Sequence, residues 1–286
     1  MNTTYSLIDS GLGRKLEQFG PYLLIRPCSQ AVWKPQLPAT DWEKAHAEFS
    51  REPENRWHYK TQLPEQWTIE IDGIKFKIAP TDFGHLGIFP EQRSHWSWIQ
   101  TYIKEAKQHH PNPPQVLNLF AYSGGSTLAP ALAGAEVCHL DASKGMVTWA
   151  RENSLLNQLE TAPIRWIVDD VNKFLKREIR RNHRYEAIIL DPPTFGRGNK
   201  GEVFKIEEAL PELLNDCRTL LSEQPLFVLL SCHTPGFSPI VLRHMMNQAF
   251  GDLQGYIKEG EMLLEGSSGI LPIPSGTFAL WSKTNR

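Results

Sequence analysis

The chain has 286 residues, 41% of them hydrophobic and 22% charged, which is enough apolar material for a buried core and excludes a disordered or fibrous protein. Its formal net charge of -2 excludes a general attraction to polyanions, so any nucleic-acid site must be a local patch. The four cysteines lack the spacing of a zinc site, no signal peptide is recognisable, and no apolar run approaches the ~20 residues of a membrane helix. We therefore expect a cytoplasmic protein with reduced thiols, no metal site and no membrane partner.

Residues 1–85 are predicted to form a small β-rich region that is rich in proline and tryptophan. Short apolar or alternating runs at Tyr22–Ile25 and Trp67–Ile71 predict strands. Asp72-Gly73 predicts a tight hairpin turn between the second run and Ile74–Ile78. We expect the tryptophans of this region to belong to its core rather than to a surface that stacks on bases.

Residues 86–286 form one predicted α/β domain, in which strands alternate with helices. After a helix at 94–106, strands are predicted at 116–120, 136–140, 164–168, 187–190 and 226–230, with helices between them and a hairpin at the end. This alternation predicts a doubly wound, mostly parallel sheet of seven strands with helices on both faces. In such sheets, ligands bind at the carboxyl ends of the strands.

A turn of small residues after the first of these strands is the first candidate ligand site. Its predicted contacts are Asn118, Ala121, Tyr122, Ser123, Gly124 and Gly125. Glycine lets a ligand approach the backbone, and the helix that follows offers N–H groups at its N-terminus. Taken alone, the turn is equally compatible with a tight connection between strand and helix.

Acidic residues follow the next two strands. The second strand ends at Asp141-Ala142-Ser143, where Asp141 suits the two hydroxyls of a ribose. The third ends at Asp169-Asp170-Val171, where a carboxylate suits an exocyclic amine such as that of adenine. Each has an alternative interpretation, because Asp141 and Asp170 are also suited to cap the helices that follow them.

The turn lacks both the GxxxxGK[ST] motif of a P-loop and the GxGxxG motif of a dinucleotide site. A cofactor with an adenosine but without a pyrophosphate fits better. The sequence therefore predicts S-adenosylmethionine (SAM) as the cofactor.

The fourth strand ends at Asp191-Pro192-Pro193, a stiff turn whose carbonyls can accept from a base or an amine. As an ordinary exit from a strand this tripeptide would be unremarkable. After three cofactor signals it indicates a methyltransferase that acts on a nucleobase or a similar planar group. We expect Asp191 and Pro192 to border the cofactor, with Asp191 also in a catalytic role.

Substrate contacts are predicted just beyond this turn, at Pro193, Phe195, Arg197 and Lys200. Phe195 is placed either to stack on a flipped base or simply to pack. Arg197 and Lys200 lie in a glycine-rich loop where cations can meet phosphates. A basic run at 173–184 is interpreted either as the solvated face of a helix or as a phosphate-binding stripe.

Together these segments resemble the bacterial large-subunit ribosomal RNA methyltransferases that make 5-methylcytosine. The likeness covers roughly Phe83 to Phe250 and includes Leu86–Arg93, Asn118–Gly125, Asp141–Ser143, Asp169–Val171, Asp191–Phe195 and Leu230–Cys232. The resemblance implies a Rossmann-like domain that binds SAM. It places Gln92 and Arg93 near the cofactor, Asp141 on the ribose, and Asp170 with the Val171 backbone on adenine.

The N-terminus departs from that family, because residues 1–65 do not match its RNA-binding barrel. They are more similar to a branch with a Trp- and Pro-rich N-terminus.

Cys232 stands after the fifth strand, where the cytosine-specific members carry a nucleophile. Methylation of cytosine carbon 5 needs a covalent adduct at the neighbouring ring carbon, for which a thiolate is suited. The alternative is a small residue buried at the end of a strand.

The predicted function is methylation of cytosine carbon 5 in ribosomal RNA, with RNA as the partner and Cys232 and Asp191 as catalytic residues. Methyl transfer to a nitrogen of a base or small molecule, without a cysteine nucleophile, is the first alternative. A cofactor-binding module without activity is the second. The oligomeric state is not determined by the sequence.

Overall fold

The computed structural model describes residues 4–51, 54–109, 112–197, 203–266 and 269–285. The chain divides into two compact units, one of Met1–Arg93 with Leu263–Ser275 and one of Ser94–Met262 with Gly276–Arg286. The predicted boundary after residue 85 lies within the first unit, and the extent of the catalytic domain stays a prediction.

The first unit contains a five-stranded sheet in the order β1-β2-β3-β4-β5 and a separate hairpin of β6 and β7. The strands are β1 (Tyr5–Gly11), β2 (Arg14–Phe19), β3 (Tyr22–Pro27), β4 (Ala47–Ser50), β5 (Arg56–Tyr59), β6 (Trp67–Ile71) and β7 (Ile74–Ile78), with a short helix α1 (Ala39–Trp42). The hairpin turns as predicted, because Asp72 and Gly73 both adopt positive φ angles, 49° and 81°. A β-rich N-terminal region is therefore confirmed.

The second unit contains a seven-stranded sheet in the order β10-β9-β8-β11-β14-β16-β15. Its strands are β8 (Gln115–Leu119), β9 (Glu136–Asp141), β10 (Ile164–Val168), β11 (Ala187–Leu190), β14 (Phe227–Cys232), β15 (Tyr256–Leu264) and β16 (Ile273–Ser282); β12 (Phe195–Arg197) and β13 (Val203–Lys205) form a separate hairpin. The helices are α2 (Arg93–His109), α3 (Gly125–Leu132), α4 (Lys144–Leu156), α5 (Val171–Arg180), α6 (Ile206–Leu220) and α7 (Pro239–Phe250). Strands β8 to β11 and β14 run parallel, and β16 pairs antiparallel with β14. The predicted doubly wound, mostly parallel sheet is confirmed.

Side chains of the parallel strands alternate between the two faces of the sheet. Leu119, Leu140, Leu190 and Leu230 share one buried core with residues of α5, α6 and α7. The neighbouring positions face α2 and α3. Phe227 contacts the rings of Trp98 and Tyr102 on α2. Since both faces are covered, the strands are nearly continuous apolar runs.

The basic run at 173–184 contributes most of helix α5, which has an apolar side and a charged side. Phe174 and Leu175 on its apolar side are fully buried. On its polar side Arg177 pairs with Asp169 and Lys176 with Glu212. This arrangement agrees with the solvated-face interpretation of the basic run.

The described residues contain neither a membrane-spanning helix nor a metal-binding cluster. No helix there is long and apolar enough to cross a membrane. No group of three or more His, Cys, Asp and Glu side chains in that part of the chain is arranged to hold a metal ion.

Candidate active site

The predicted site segments meet at the carboxyl edge of the sheet in the second unit. Ala121 N donates to Leu140 O at 3.0 Å, and Asp169 N donates to Asp141 O at 3.2 Å. Asp191 N lies 3.5 Å from Leu119 O. The ends of β8, β9, β10 and β11 are thus level with one another. The chain winds from β8 towards β10 and then crosses to β11, so this edge includes the switch point at which α/β sheets bind ligands.

The turn after β8 has an unusual backbone. Phe120, Tyr122 and Gly124 all have positive φ angles, 55°, 49° and 92°. For the two non-glycine residues such a conformation costs on the order of 1–3 kcal/mol each and persists only where the surroundings hold it. Asn153 of α4 supplies part of that hold, because its buried side chain donates to Ser123 O at 2.9 Å.

Gly124 and Gly125 are required by close packing as well as by the turn. A Cβ atom on Gly125 would lie 2.5 Å from Cζ2 of Trp96 on α2. One on Gly124 would lie 3.0 Å from the Cβ of Ala150 on α4. The tight connection between strand and helix therefore accounts in part for the presence of both glycines.

Behind the turn lies a buried polar network that the sequence analysis missed. The Asn118 side chain donates to Thr127 Oγ1 at 2.9 Å, and Thr127 Oγ1 lies 2.8 Å from His139 Nδ1. Burial and nearby Arg151 lower the pKa of His139 to about 3, so the ring is neutral. Asn118 thus anchors α3 to β8, and its direct contact with the cofactor stays a prediction. Thr127 and His139 alternate with apolar residues in the sequence, which gave no signal of their role.

Asp141 is half-buried at the end of β9 and closes the turn. Its Oδ2 accepts from Tyr122 N and its Oδ1 from Ser143 N, both at 2.8 Å. Burial raises the pKa of Asp141 above its usual range, although these two N–H groups oppose the shift. The helix α4 is capped by the side chain of Ser143, which accepts from Met146 N, so Asp141 is not its N-cap. Ala142 and Ser143 are exposed beside it.

The two acidic residues after β10 both have protein partners. Asp170 caps α5 by accepting from Lys173 N at 3.0 Å, so the capping interpretation is confirmed for this residue. Asp169 accepts from Asp170 N and pairs with Arg177 at 2.7 Å. Val171 is buried in the first turn of α5. Contacts of Asp169, Asp170 and Val171 with adenine stay predictions.

Asp191 is the centre of a second polar cluster at this edge. Its Oδ1 lies 3.7 Å from Nε2 of His233, an ion-pair distance, and Ser231 and His233 both favour its ionised form. Burial raises the pKa of Asp191, but His233, Ser231 and nearby His95 together bring it below its usual value. The carboxylate is therefore ionised at neutral pH.

His95, in the first turn of α2, is a member of this cluster that sequence reasoning missed. Its ring packs edge-on against Phe278, with centroids 4.6 Å apart. Burial lowers the pKa of His95 to about 4, although the charge of Asp191 opposes the shift. The sequence of an amphipathic helix does not indicate which strand end a histidine on it will contact.

Cys232 ends β14 with its side chain directed away from this cluster. It is 1% exposed, and it belongs to the apolar core beneath α6 and α7. Its Sγ accepts from Thr234 N at 3.4 Å. Burial raises the pKa of the Cys232 thiol, and the hydrogen bonds from Thr234 offset this only in part. These features disfavour a thiolate, and the nucleophilic role stays a prediction.

The predicted substrate residues lie just beyond Asp191. Pro192 is buried, Pro193 is exposed, and Phe195 is 51% exposed at the start of β12. Arg197 ends β12, where it pairs with Val203 of β13. Lys200 lies outside the described residues. Substrate contacts at these positions remain predictions.

Gln92 and Arg93 belong to the first unit. Gln92 is buried, and Arg93 donates to Asp72 Oδ1 at 2.7 Å within the same unit. Their predicted place near the cofactor stays a prediction.

The strand order, the turn after β8 and the acidic residues that follow it define a Rossmann-like methyltransferase domain. Residues 40–226 match the S-adenosylmethionine-dependent methyltransferase family. The chain belongs to this family, and SAM is its cofactor.

Two structures and two curated proteins illustrate the relationship. A SAM-dependent methyltransferase from Agrobacterium tumefaciens is 40% identical, with a TM-score of 0.92 over 98% of this chain and 90% of that one. A methyltransferase solved with S-adenosylhomocysteine (SAH), 21% identical with a TM-score of 0.74 over 98% of this chain and 75% of that one, shares the fold.

The curated relatives are named as ribosomal RNA methyltransferases. The ribosomal RNA large subunit methyltransferase K/L of Hahella chejuensis is 33% identical over 157 residues, 54% of this chain and 20% of that protein. The ribosomal RNA large subunit methyltransferase I of Aeromonas salmonicida is 28% identical over 155 residues, 54% of this chain and 34% of that protein. The chain spans about a fifth of the length of the K/L relatives it matches.

The residues at the edge fit SAM in chemistry. The first turn of α3 directs backbone N–H groups towards the edge, which suits the carboxylate of the amino-acid end. The half-buried Asp141 suits the ribose hydroxyls. Gly124 packs closely on α4, and its lack of a side chain would let a ligand approach the backbone.

Proposed function

We propose that this chain methylates a nucleobase of ribosomal RNA at a nitrogen held beside Asp191-Pro192-Pro193. The observation that carries the proposal is the position of Asp191. It is an ionised carboxylate on β11, one strand away from the cofactor turn on β8. The names of the relatives support ribosomal RNA as the substrate.

Asp191 and the two prolines offer acceptors to the substrate. Neither proline has a backbone N–H, so this segment presents carbonyl groups together with the carboxylate. An amine or ring N–H is the donor that such a site holds best, and the exposed Phe195 suits a base that has left its stack. SAM, when bound, supplies an electrophilic methyl group on its sulfonium sulfur. The role of Asp191 is to orient the acceptor nitrogen and to receive its N–H hydrogen bond.

Methylation of cytosine carbon 5 through Cys232 is the second candidate. It is supported by the place of Cys232 at the carboxyl end of β14, next to β11 in the sheet. The burial of the thiol weighs against it, because the adduct requires an accessible thiolate.

Transfer of a labelled methyl group from SAM to total RNA, followed by nucleoside analysis, tests the proposal. We expect label in RNA as an N-methylated nucleoside. We expect Asp191→Asn to slow transfer by about 10²-fold or more, since a positioned acid or base contributes that much. Asp252→Asn, which alters an exposed aspartate paired with Arg218, is the matched control and should retain wild-type activity.

The same assay separates the candidates. Cys232→Ser is expected to transfer at close to the wild-type rate. A 5-methylcytosine product that disappears in Cys232→Ser would replace the proposal with the second candidate. Label that enters only protein or small metabolites would exclude RNA as the acceptor, and no transfer at all would favour a binding module.

A further inference from the structure

We propose that His233 is the proton acceptor that works through Asp191 during methyl transfer. This inference rests on the proposed transfer to a nitrogen. His233 contacts Asp191 rather than the acceptor, so it is a positioning and relay residue.

The geometry of β14 directs His233 towards Asp191. Successive side chains of a strand face opposite sides, so Ser231 of β14 lies on the side of Asp191 while Cys232 lies in the core below. His233, the first residue after β14, lies on the same side as Ser231. The His233 Nε2 atom is 3.7 Å from Asp191 Oδ1, and the His233 side chain is 34% exposed. The Asp191 side chain is 27% exposed, so both members of the pair reach the surface of this edge.

A glycine on the neighbouring strand makes room for the imidazole. A Cβ atom at Gly276 of β16 would lie 2.5 Å from Cε of Met262, 2.9 Å from His233 Nδ1 and 3.0 Å from Cys232 O. Gly276 also has a positive φ angle of 134°, which other residues rarely adopt. The ring therefore occupies a place that the backbone of β16 leaves clear for it.

Methyl transfer to a nitrogen that carries hydrogen releases one proton. The nitrogen lone pair forms the N–CH3 bond while the bond from that carbon to sulfur breaks and its electron pair stays on sulfur. The nitrogen is then positively charged until its N–H proton leaves to a base. Asp191 alone is a weak proton acceptor, because its pKa lies below the usual value. A neutral His233 that carries its hydrogen on Nδ1 can take this proton at Nε2, which restores the carboxylate. The imidazolium then loses one proton to water and becomes neutral again.

The other charged groups around this pair do not offer that route. His95 faces Asp191 from α2, but it is buried, and burial lowers its pKa to about 4. The charge of Lys258 on β15 lowers the pKa of His95, and the charge of Glu207 on α6 raises the pKa of Cys232. Among the titratable groups that face Asp191 in the described part of the chain, His233 is both close to its carboxylate and partly exposed to solvent.

The pH profile of single-turnover methyl transfer tests the relay. We expect wild-type transfer to fall as the pH is lowered, because a protonated imidazole accepts no proton. His233→Gln should slow transfer at neutral pH by about tenfold or more and should abolish this acid limb. SAH affinity should change less than twofold. His244→Gln, at an exposed position on α7, is the matched control. A His233→Gln profile that coincides with that of the wild type would overturn the proposal.

Histidine NMR tests the pair without substrate or cofactor. In Asp191→Asn the titration of His233 should move to lower pH, because the anion that stabilises its cationic form is gone. An unchanged titration would refute the pairing whatever the acceptor is. If His233 responds while the wild type methylates no RNA, the pair stands and the proposed function fails.

Discussion

His139 and His95 are neutral bases held in the interior. His139 is fully buried in the network with Thr127 and Asn118, and His95 is 7% exposed against Phe278. Their folded pKa values, about 3 and about 4, are below the usual 6.5. The unfolded chain therefore binds more protons than the folded chain between these values and pH 6.5. Their contribution to stability is complete above pH 6.5 and declines as the pH falls through that interval.

We accordingly expect the free energy of unfolding to decrease below pH 6.5, with at most about 1.4 kcal/mol per pH unit for each histidine. His139→Gln should show a shallower decrease than the wild type in urea titrations between pH 7 and 4.5. The exposed His244→Gln should keep the wild-type slope. Equal slopes for His139→Gln and the wild type would show that His139 is not held neutral by burial.

The positions of Asp141 and Asp191 were predictable because each ends a strongly apolar strand, and strand ends meet at one edge. Their partners were not predictable in the same way. His95 lies on a helix at the start of the domain, and its approach to Asp191 depends on how α2 packs on the sheet. Cys232 illustrates the opposite case. The resemblance at Leu230–Cys232 predicted a nucleophile, while the alternation of side chains along β14 directs the Cys232 thiol into the core.

The junction of β8 and α3 is the element on which the proposed cofactor site depends. Its sequence predicted a glycine turn before a helix, and the structure adds the reason for two adjacent glycines. Trp96 of α2 occupies the space that a side chain at Gly125 would need. Since that ring donates to Ser126 Oγ at 3.1 Å, it cannot move away without cost.

Gly125→Ala is therefore expected to destabilise the fold by about 1–3 kcal/mol, through overpacking against Trp96. Gly145→Ala is the control at the start of α4, where the nearest atom to a new Cβ would be Ser143 Oγ at 3.8 Å. Alanine there should be neutral or stabilising by up to about 1 kcal/mol, because it favours a helix. Chemical unfolding of the two variants measures the contrast, and equal stabilities would contradict the close packing described.

Strands with continuous apolar sequences were predicted within a few residues, and several short strands with polar sequences were not. The strands β10 and β11 begin and end where the pattern placed them. The hairpin of β12 and β13 was predicted as a loop, because three-residue strands rich in glycine and charge carry no alternation. The strands β4 and β5 were missed because polar residues interrupt both of these four-residue sequences.

At the scale of the whole molecule, the chain contains a β-rich unit and an α/β unit with the methyltransferase fold. The parallel direction of β8 to β11 and β14 was predicted from the alternation of strands and helices, since parallel strands need crossovers, while their order in the sheet comes from the structure. The five-stranded sheet of the first unit was not predicted. The register of its strands depends on turns and on the buried ion pair of Glu17 and Arg26, and no periodic sequence pattern predicts these features.

Titration calorimetry with SAH most directly tests whether the edge formed by the β8 turn and Asp141 is the cofactor site. We expect wild-type protein to bind one SAH. Asp141→Asn should weaken binding about tenfold or more, which is roughly 1.4 kcal/mol. The carboxylate of Asp141 has two acceptor oxygens for the ribose hydroxyls and the two backbone N–H groups, whereas the amide of asparagine has one. Glu136→Gln, at the amino end of the same strand, should bind like the wild type. Absence of SAH binding by folded wild-type protein, or equal affinity of Asp141→Asn and the wild type, would contradict this assignment.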